Sequence, residues 1–253
     1  MKLVAYLHHL FTGNQSCVAV PTPYLRNKRT VPLSALQRAA LLPGLINGEN
    51  KGAYCNSLQT GLNPAQLREC LDDNPLHWQI EGSTAAHGVL NFLLDEGERT
   101  AYEVLQPLLL TMKNKQDREK YIEDNFYFTE IALYYAGNLS DNLEILRENT
   151  ILSLTSADLK KGALAWDMAL MVFIARLTFD VGYLTEQEAW GYIETAYQRC
   201  KTGFDSWQEA AKSYLIGEAM HTDNPLTFLC STQKVCAALT DAESPWMEVP
   251  LNF

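Results

Sequence analysis

A single acid, Asp167, lies in the middle of a long apolar run and is the first candidate for chemistry in this sequence. A buried carboxylate without a partner costs several kcal/mol or becomes protonated, and a protonated carboxyl group in a cleft can act as an acid. The same residue can instead be structural, accepting hydrogen bonds from an Arg, Trp or Tyr of another helix. No second carboxylate, His or nucleophile stands at a telling spacing, so we favour the structural interpretation.

A second candidate region is the turn-rich segment 47–56, which we expect to be a loop. Cys55 has small and polar neighbours there, but a nucleophilic thiol needs a positioned base and no His is near it in the sequence. Glu49 is a further, weaker candidate for a catalytic role. The residues of this segment that we consider for ligand binding are Asn50, Tyr54 and Asn56.

No sequence motif for a cofactor or a metal is present. The chain has no GxGxxG, GxxxxGK[ST], HExxH or GxSxG pattern. Its six cysteines include no CxxC pair and no Cys/His cluster with zinc spacing. No apolar run approaches the ~20 residues that span a bilayer. We therefore expect a cytoplasmic protein with free thiols and with no metal, cofactor or membrane partner.

The net charge of -10 is unevenly distributed. Residues 1–63 hold six basic groups and one acid, for +5, whereas residues 64–253 hold 14 basic and 29 acidic groups, for -15. The acidic balance argues against nucleic-acid binding, because phosphates attract Lys and Arg. Two alternatives remain: the basic N-terminal quarter docks on the acidic body, or the acidic body attracts a basic partner.

The elements that must position these residues are helices from about residue 64 onward. Thr185 and Ser206 are each followed three residues later by a Glu, which is the pattern of a capping box. Gly137 and Gly182 stand where left-handed C-terminal caps would end helices. No alternating strand pattern occurs, so the sequence predicts an all-α protein.

We expect one domain over residues 1–253, with a multi-helix body and an irregular arm. Residues 1–33 carry several prolines and a small basic cluster, which predicts an extended, basic N-terminal arm. Residues 34–253 form the helical body around a buried central helix. The aromatic group between Phe126 and Tyr135 has helical spacing and is expected in the core, although any Tyr of this group left at the surface would suit a protein interface.

The central helix is predicted from Leu164–Leu177, where apolar residues occupy every side and only Asp167 and Arg176 are charged. Nine residues separate the two charges, which places them on opposite faces of a helix. Arg176 can reach Asp180 one turn further on. Asp167 needs a partner from another segment.

The segment 158–220 carries a series of aromatic, glycine and capping residues in a fixed order. These are Trp166-Asp167, Arg176, Gly182-Tyr183-Leu184-Thr185, Glu188-Ala189-Trp190, Phe204, Ser206-Trp207, Tyr214 and Gly217. The series resembles the signature of the YbeU/YbeR-like bacterial family, which carries the domain of unknown function 1266. Ser34–Leu62 resembles the family's N-terminal helix and small-residue loop.

This resemblance implies a fold rather than a reaction, and no established catalytic residue can be carried over from the family. The residues that we expect to be structural are Trp166, Asp167, Arg176, Gly182, Trp190, Trp207 and Tyr214. By analogy with small genes near interbacterial toxin loci, the resemblance also makes an immunity-type inhibitor plausible.

Two functional hypotheses follow. The first is a non-enzymatic intracellular protein-binding protein, such as an immunity-type inhibitor of a basic bacterial toxin domain, because the body is acidic and catalytic motifs are missing. The alternative is an enzyme, a hydrolase or transferase, with a site formed by the 47–56 segment and Asp167.

Overall fold

The computed structural model of the chain describes residues 24–29, 31–72 and 79–252. Within these ranges the regular structure consists of α-helices and one 3₁₀ turn, Leu42–Gly44, which confirms the all-α prediction. Most of the predicted N-terminal arm lies outside the described residues. The helices are α1 Ala35–Ala40, α2 Leu45–Lys51, α3 Pro64–Asp72, α4 Ser83–Asp95, α5 Arg99–Thr111, α6 Lys115–Asn125, α7 Thr129–Arg147, α8 Ser156–Lys161, α9 Leu164–Asp180, α10 Glu186–Gly203, α11 Trp207–His221, α12 Pro225–Thr240 and α13 Pro245–Glu248.

Helix α9 is the centre of the fold. Every residue from Ala165 to Thr178 is buried, as predicted for a helix that is apolar on all sides. Helices α10, α11 and α4 make the most extensive contacts with it, and α2 and the 3₁₀ turn cover a further side. Any side chain that points away from α9 therefore meets another helix, which explains why its two charged residues need partners from distant segments.

The predicted helix boundaries are correct where a side chain caps the backbone. Thr185 and Glu188 form the complete capping box that begins α10. Ser206 accepts a hydrogen bond from the Glu209 amide, but the Glu209 carboxylate accepts from the Asp205 amide instead, so this box is only half formed. Gly182 adopts the left-handed conformation that follows α9, with φ of 78°.

One glycine prediction is wrong. Gly137 lies in the middle of α7 and does not end a helix. Helix α7 continues because it packs along α11, and the burial of its apolar side chains outweighs the low helix propensity of a single glycine.

The turn-rich sequence predicts a loop over the whole segment 47–56. This prediction is wrong for the first half of the segment. Residues 47–51 form the end of helix α2, and Gly52 then closes the helix in the left-handed conformation, with φ of 72°. Leu45, Ile46 and Asn47 are buried against neighbouring elements, and this tertiary packing overrides the local preference for a turn. Only residues 52–56 are irregular.

The described end of the arm lies on this same segment. The Tyr24 amide donates to the Glu49 carboxylate, and the Cys55 amide donates to the Leu25 carbonyl. Arg26 forms an ion pair with Glu248 of α13, with 2.5 Å between nitrogen and oxygen. Arg26, a basic group of the arm, is thus already paired with an acid of the helical body.

Candidate functional site

Asp167 is fully buried and is held by a neighbouring turn. Its carboxylate accepts hydrogen bonds from the Glu98 amide at 3.0 Å, from the Arg99 amide at 3.2 Å and from Arg99 Nη1 at 2.8 Å. Burial raises the pKa of Asp167 to about 6, against the lowering effect of Arg99 and the two amides. We call this group of Asp167, Arg99, Glu98 and Gly97 the Asp167 corner. Its contacts are those that a structural role requires.

Gly97 shows how closely the Asp167 corner is packed. This residue has a positive φ of 67°, and a Cβ placed on it would lie 2.1 Å from Asp167 Oδ2 and 2.4 Å from Arg99 Nη1. Arg99 also donates to the carbonyls of Leu93 and Leu94 at the end of α4. The carboxylate therefore has a charged donor and amide donors, and on the side of Gly97 it has no space for a further atom.

Arg176 satisfies backbone carbonyls rather than forming the predicted close pair with Asp180. Its guanidinium donates to the carbonyls of Tyr54, Leu58 and Gln59, at distances between 2.5 and 3.2 Å. Asp180 instead accepts from the Thr60 amide at 2.8 Å and from the Thr60 hydroxyl. Together the two side chains fix the irregular segment that follows α2 onto the central helix.

The catalytic candidates of the 47–56 segment are held by the arm. Burial raises the pKa of the Cys55 thiol, so the thiolate that a nucleophile requires is disfavoured. Burial also raises the pKa of Glu49, whose carboxylate accepts the Tyr24 amide at 3.1 Å. The two groups are not accompanied by a positioned base in the contacts that the structure describes.

The three binding candidates of this segment are separated by the fold. Asn56 accepts from the Asn27 amide at 2.7 Å and donates to the Asn27 carbonyl, so the arm occupies it. The Tyr54 ring packs against Gly61, where a Cβ would lie 2.1 Å from the ring. Asn50 lines a cavity, and its Oδ1 accepts from Lys234 Nζ at 2.7 Å.

This cavity, of about 530 Å³, lies between α9, α11 and α2, at the start of α12. One side is an apolar wall provided by α9. The α9 residues of this wall are Trp166, Leu170, Phe173, Ile174 and Leu177. Apart from Cys70, the rest of the lining is polar, and it combines groups that are far apart in the sequence. These polar residues are Asn47, Asn50, Lys51, Tyr214, Glu218, His221, Thr222, Asp223, Asn224 and Thr227.

Glu218 is the buried acid of the cavity. Its carboxylate accepts from the Ser231 hydroxyl at 2.7 Å and is also hydrogen-bonded by Tyr214. Burial raises the pKa of Glu218 to about 7, and the lowering effects of Ser231, Lys234 and Tyr214 do not offset it. Unlike Asp167, this carboxylate is bonded by hydroxyl groups rather than by a guanidinium.

Two further polar groups of the cavity lining have an atom without a hydrogen-bond partner among the described residues. These atoms are Oδ1 of Asn47, whose exposed fraction is 8%, and Nε1 of Trp166. The Trp166 ring stacks on His221 with a ring separation of 5.7 Å. A Cβ on Gly217 would lie 2.3 Å from the Trp166 Cβ, so only glycine at 217 permits this position of the indole.

The other expected structural residues lie in the interior. Trp190 and Tyr214 are buried. Trp207 stacks on Trp246 at 5.2 Å and donates from Nε1 to the Val249 carbonyl, which ties the C-terminal segment to α11. These contacts hold helices together. Of the expected structural residues, Trp166 and Tyr214 also line the cavity.

Sequence analysis missed Glu218, although a signal for it exists. The run from Tyr214 to Met220 contains one charge among apolar and small residues, which is the same pattern that drew attention to Asp167. The capping pattern at Ser206 predicts where α11 begins but not its burial, and every residue from Ser213 to Met220 is buried. A helix buried on all sides makes any acid in it a candidate.

A second feature is an exposed group of apolar side chains where α6 meets α7. It consists of Tyr121, Tyr127, Phe128, Ile131 and Tyr134, which we call the aromatic corner; Tyr127 is 97% exposed and Phe128 75% exposed. The expectation that the aromatic group between Phe126 and Tyr135 belongs to the core is wrong for Tyr127, Phe128 and Tyr134. Phe126 caps α6 with its amide and turns inward, so the two residues that follow it point away from the protein.

Acidic residues surround the aromatic corner. Glu123, Asp124 and Glu130 are exposed beside Tyr127 and Phe128. Between Lys120 and Arg147 the sequence contains five acids and no Lys or Arg. The surface is therefore both apolar and negatively charged, a combination that favours a partner with an apolar segment and basic neighbours.

Among the described residues, no group of three or more His, Cys, Asp or Glu side chains is arranged to hold a metal ion. In the same part of the chain, no helix is long and apolar enough to cross a membrane.

Comparison with known proteins identifies a family. A family model described as "Protein of unknown function (DUF1266)" matches residues 76–251. The match includes the whole segment 158–220 on which the resemblance depends, whereas Ser34–Leu62 lies outside it, and the narrower YbeU/YbeR-like name stays a prediction. No curated protein and no solved structure matches the chain significantly.

Proposed function

The chain belongs to the DUF1266 family of proteins of unknown function, and we propose that it is a non-enzymatic protein-binding protein that uses the aromatic corner. The observation that carries this proposal is the exposure of Tyr127 and Phe128 side by side, with their rings 6.0 Å apart. Tyr and Phe are enriched at the centres of protein interfaces, where they bury a large area at a small cost in conformational entropy.

The partner that we propose is a protein with an apolar segment flanked by Lys or Arg. Glu123, Asp124 and Glu130 would attract such a partner and speed its association at low salt. The same charges would repel nucleic acids and anionic membranes. An immunity-type inhibitor of a basic toxin domain, acting in the cytoplasm, is the form of this function that we propose to test first. Its cytoplasmic location would agree with the free thiols of Cys55, Cys200 and Cys236.

The test is affinity capture from extracts of the native host with the wild-type protein and a Tyr127→Ser/Phe128→Ser double variant. The matched control is Val104→Ser, which removes an exposed apolar side chain of α5 that is not one of the residues of the aromatic corner. We expect the wild type and the control to capture the same basic protein at low salt, and to lose it at 0.5 M salt. The double variant should not capture it.

Capture of the same protein by the double variant would overturn the role of the aromatic corner. Capture only of acidic proteins, or of nucleic acid, would overturn the proposed chemistry of the partner. A captured basic protein whose toxicity is unaffected by this chain would retain the binding function and exclude the immunity role. A gene for the captured protein directly beside the gene for this chain would support that role.

The alternative function, an enzyme that uses the 47–56 segment together with Asp167, has less support. Asn47 and Asn50 line the cavity, but Asp167 is not among its lining residues and is engaged by Arg99. An enzymatic site would have to use Glu218 in place of Asp167. The aromatic corner favours protein binding because it is the larger departure from an ordinary protein surface.

A further inference from the structure

We infer that the cavity between α9 and α11 is a binding site for a small organic cation, namely a primary amine with an apolar alkyl or aryl body, whose ammonium group pairs with Glu218. This inference goes beyond protein binding at the aromatic corner and does not depend on it. Its first basis is size: about 530 Å³ lies within the range of about 300–1,000 Å³ that is usual for small-molecule sites.

The second basis is the apolar wall. Leu170, Phe173, Ile174 and Leu177 line the cavity with consecutive turns of α9, and a helix holds a site more precisely than a loop does. An apolar body of six to ten carbon atoms could cover this wall and remove it from water. The wall therefore determines the body of the ligand but not its head group.

The third basis is the balance of donors and acceptors opposite the wall. Glu218 and the unpartnered Oδ1 of Asn47 are acceptors, and Asp223 adds a second acid. The basic groups of the lining already have acids of their own: Lys51 Nζ lies 3.5 Å from Glu69, and the His221 ring, through Nε2, lies 3.6 Å from Glu98. The cavity thus offers acceptors that a ligand with several N–H donors would satisfy.

An ammonium group fits Glu218 better than a neutral or anionic head group does. The carboxylate is buried and is hydrogen-bonded by Ser231 and Tyr214, neither of which carries a positive charge. Lys234 is a cation that acts on it, but its Nζ donates to Asn50. A ligand cation would stabilise the ionised carboxylate, and the Trp166 and Tyr214 rings of the lining would add cation–π attraction.

Binding should also release a proton. Burial raises the pKa of Glu218 to about 7, so below this pH the empty site holds a protonated carboxyl group. An ammonium ligand requires the ionised form, and the carboxyl proton must then leave for the solvent. Besides burial, the groups that act on this titration are Ser231 and Lys234 of α12 and Tyr214 of α11.

The test is isothermal titration calorimetry of the full chain with 2-phenylethylamine and with 2-phenylethanol, which has a similar shape and no charge. At pH 8 we expect the amine to bind at least tenfold more tightly than the alcohol. Glu218→Gln should abolish this difference. The matched control is Glu209→Gln, which changes an acid on the same helix that pairs with Lys161 outside the cavity, and it should leave the difference intact.

A second variant tests the location. Thr227 is exposed at the rim of the cavity, so Thr227→Trp should obstruct entry without disturbing the core, and it should weaken both probes at least tenfold. It should leave partner capture through the aromatic corner unchanged, which separates failure of this inference from failure of the proposed function. Butylamine and tryptamine extend the series to smaller and larger bodies.

Equal affinity for the amine and the alcohol would overturn the inference, as would retention of the amine by Glu218→Gln. Absence of binding by every amine of the series at 10 mM would overturn it as well. If Glu218→Gln does not fold, the wild type alone decides. Titrations at pH 6 in two buffers of different ionisation enthalpy should then show release of up to one proton per amine bound, and no release would contradict the role of Glu218.

Discussion

The Asp167 corner and the cavity around Glu218 each contain a buried carboxylate, but the two carboxylates have different partners. Asp167 receives a guanidinium and two backbone amides, and Gly97 approaches it so closely that no added atom fits. Glu218 receives hydroxyl groups from Ser231 and Tyr214 and lies beside about 530 Å³ of open space. Both carboxylates are 7% exposed or less, so burial alone does not distinguish them.

The comparison separates a structural charge from one that is available to a ligand. A charge that the protein itself neutralises gains nothing further from a ligand, whereas a carboxylate that remains partly protonated can still gain a cationic partner. The difference should be visible in stability. Removing the carboxylate of Asp167 should destabilise the fold, and removing the charge of Glu218 should stabilise it.

The largest expected effect is at the Asp167 corner. Asp167→Ala leaves Arg99 and two amides without their acceptor, and breaking a buried pair in this way costs about 3–5 kcal/mol. Asp167→Asn keeps one acceptor oxygen and should cost less. Urea denaturation at pH 7 measures both free energies of unfolding. A well-folded Asp167→Ala protein that has lost a biochemical activity, with unchanged stability, would contradict the structural assignment.

The next effect has the opposite sign and depends on pH. The pKa of Glu218 is about 7 in the folded protein, against 4.5 in the unfolded chain. As the pH rises through this window, the unfolded chain ionises while the folded protein keeps its proton, so wild-type stability falls by about 3 kcal/mol. Glu218→Gln cannot ionise. It should be more stable than the wild type by up to this amount at pH 8, and should match it at pH 4.

Urea denaturation at pH 4, 6 and 8 measures this effect, and Glu209→Gln is its control. Pairing with Lys161 lowers the pKa of Glu209, so Glu209 contributes stability above the unfolded pKa and loses it as the pH falls. Glu209→Gln should therefore lose a little stability at pH 8. If the advantage of Glu218→Gln does not grow between pH 4 and pH 8, Glu218 has an ionic partner after all.

The same contrast explains how much of the molecule could be predicted from its sequence. Capping residues such as Thr185 act within one turn, and the apolar run of α9 identifies a buried helix by itself, so both were predicted correctly. The partner of Asp167 was expected only by type, because Arg99 is distant in the sequence. The cavity joins residues from Asn47 to Thr227, and no local pattern relates segments that only the tertiary fold brings together.

A third experiment measures how closely the Asp167 corner is packed. Gly97→Ala puts a side chain on a left-handed backbone, which costs about 1–2 kcal/mol, and also displaces the Asp167–Arg99 pair. We expect a loss of about 2 kcal/mol in thermal or urea denaturation. Gly88→Ala is the matched control, because Gly88 lies within helix α4 with open space around it and should gain roughly 0.5–1 kcal/mol. Equal effects of the two variants would mean that the corner is not closely packed.

The smallest effect is at the cavity, where an unsatisfied polar atom should be removable without loss. Asn47 is buried, and its Oδ1 has no partner among the described residues. Asn47→Leu replaces the amide with an apolar group of similar volume and should stabilise the protein by about 1 kcal/mol. Its control is Asn142→Leu, because Asn142 Nδ2 donates to the carbonyls of Ala219 and Thr222 and its loss should cost about 1–3 kcal/mol. Both are measured by urea denaturation. A cost at Asn47 as large as that at Asn142 would mean that the Asn47 side-chain amide is already hydrogen-bonded in the free protein. The cavity would then resemble the Asp167 corner, because it would offer a ligand no free acceptor at Asn47.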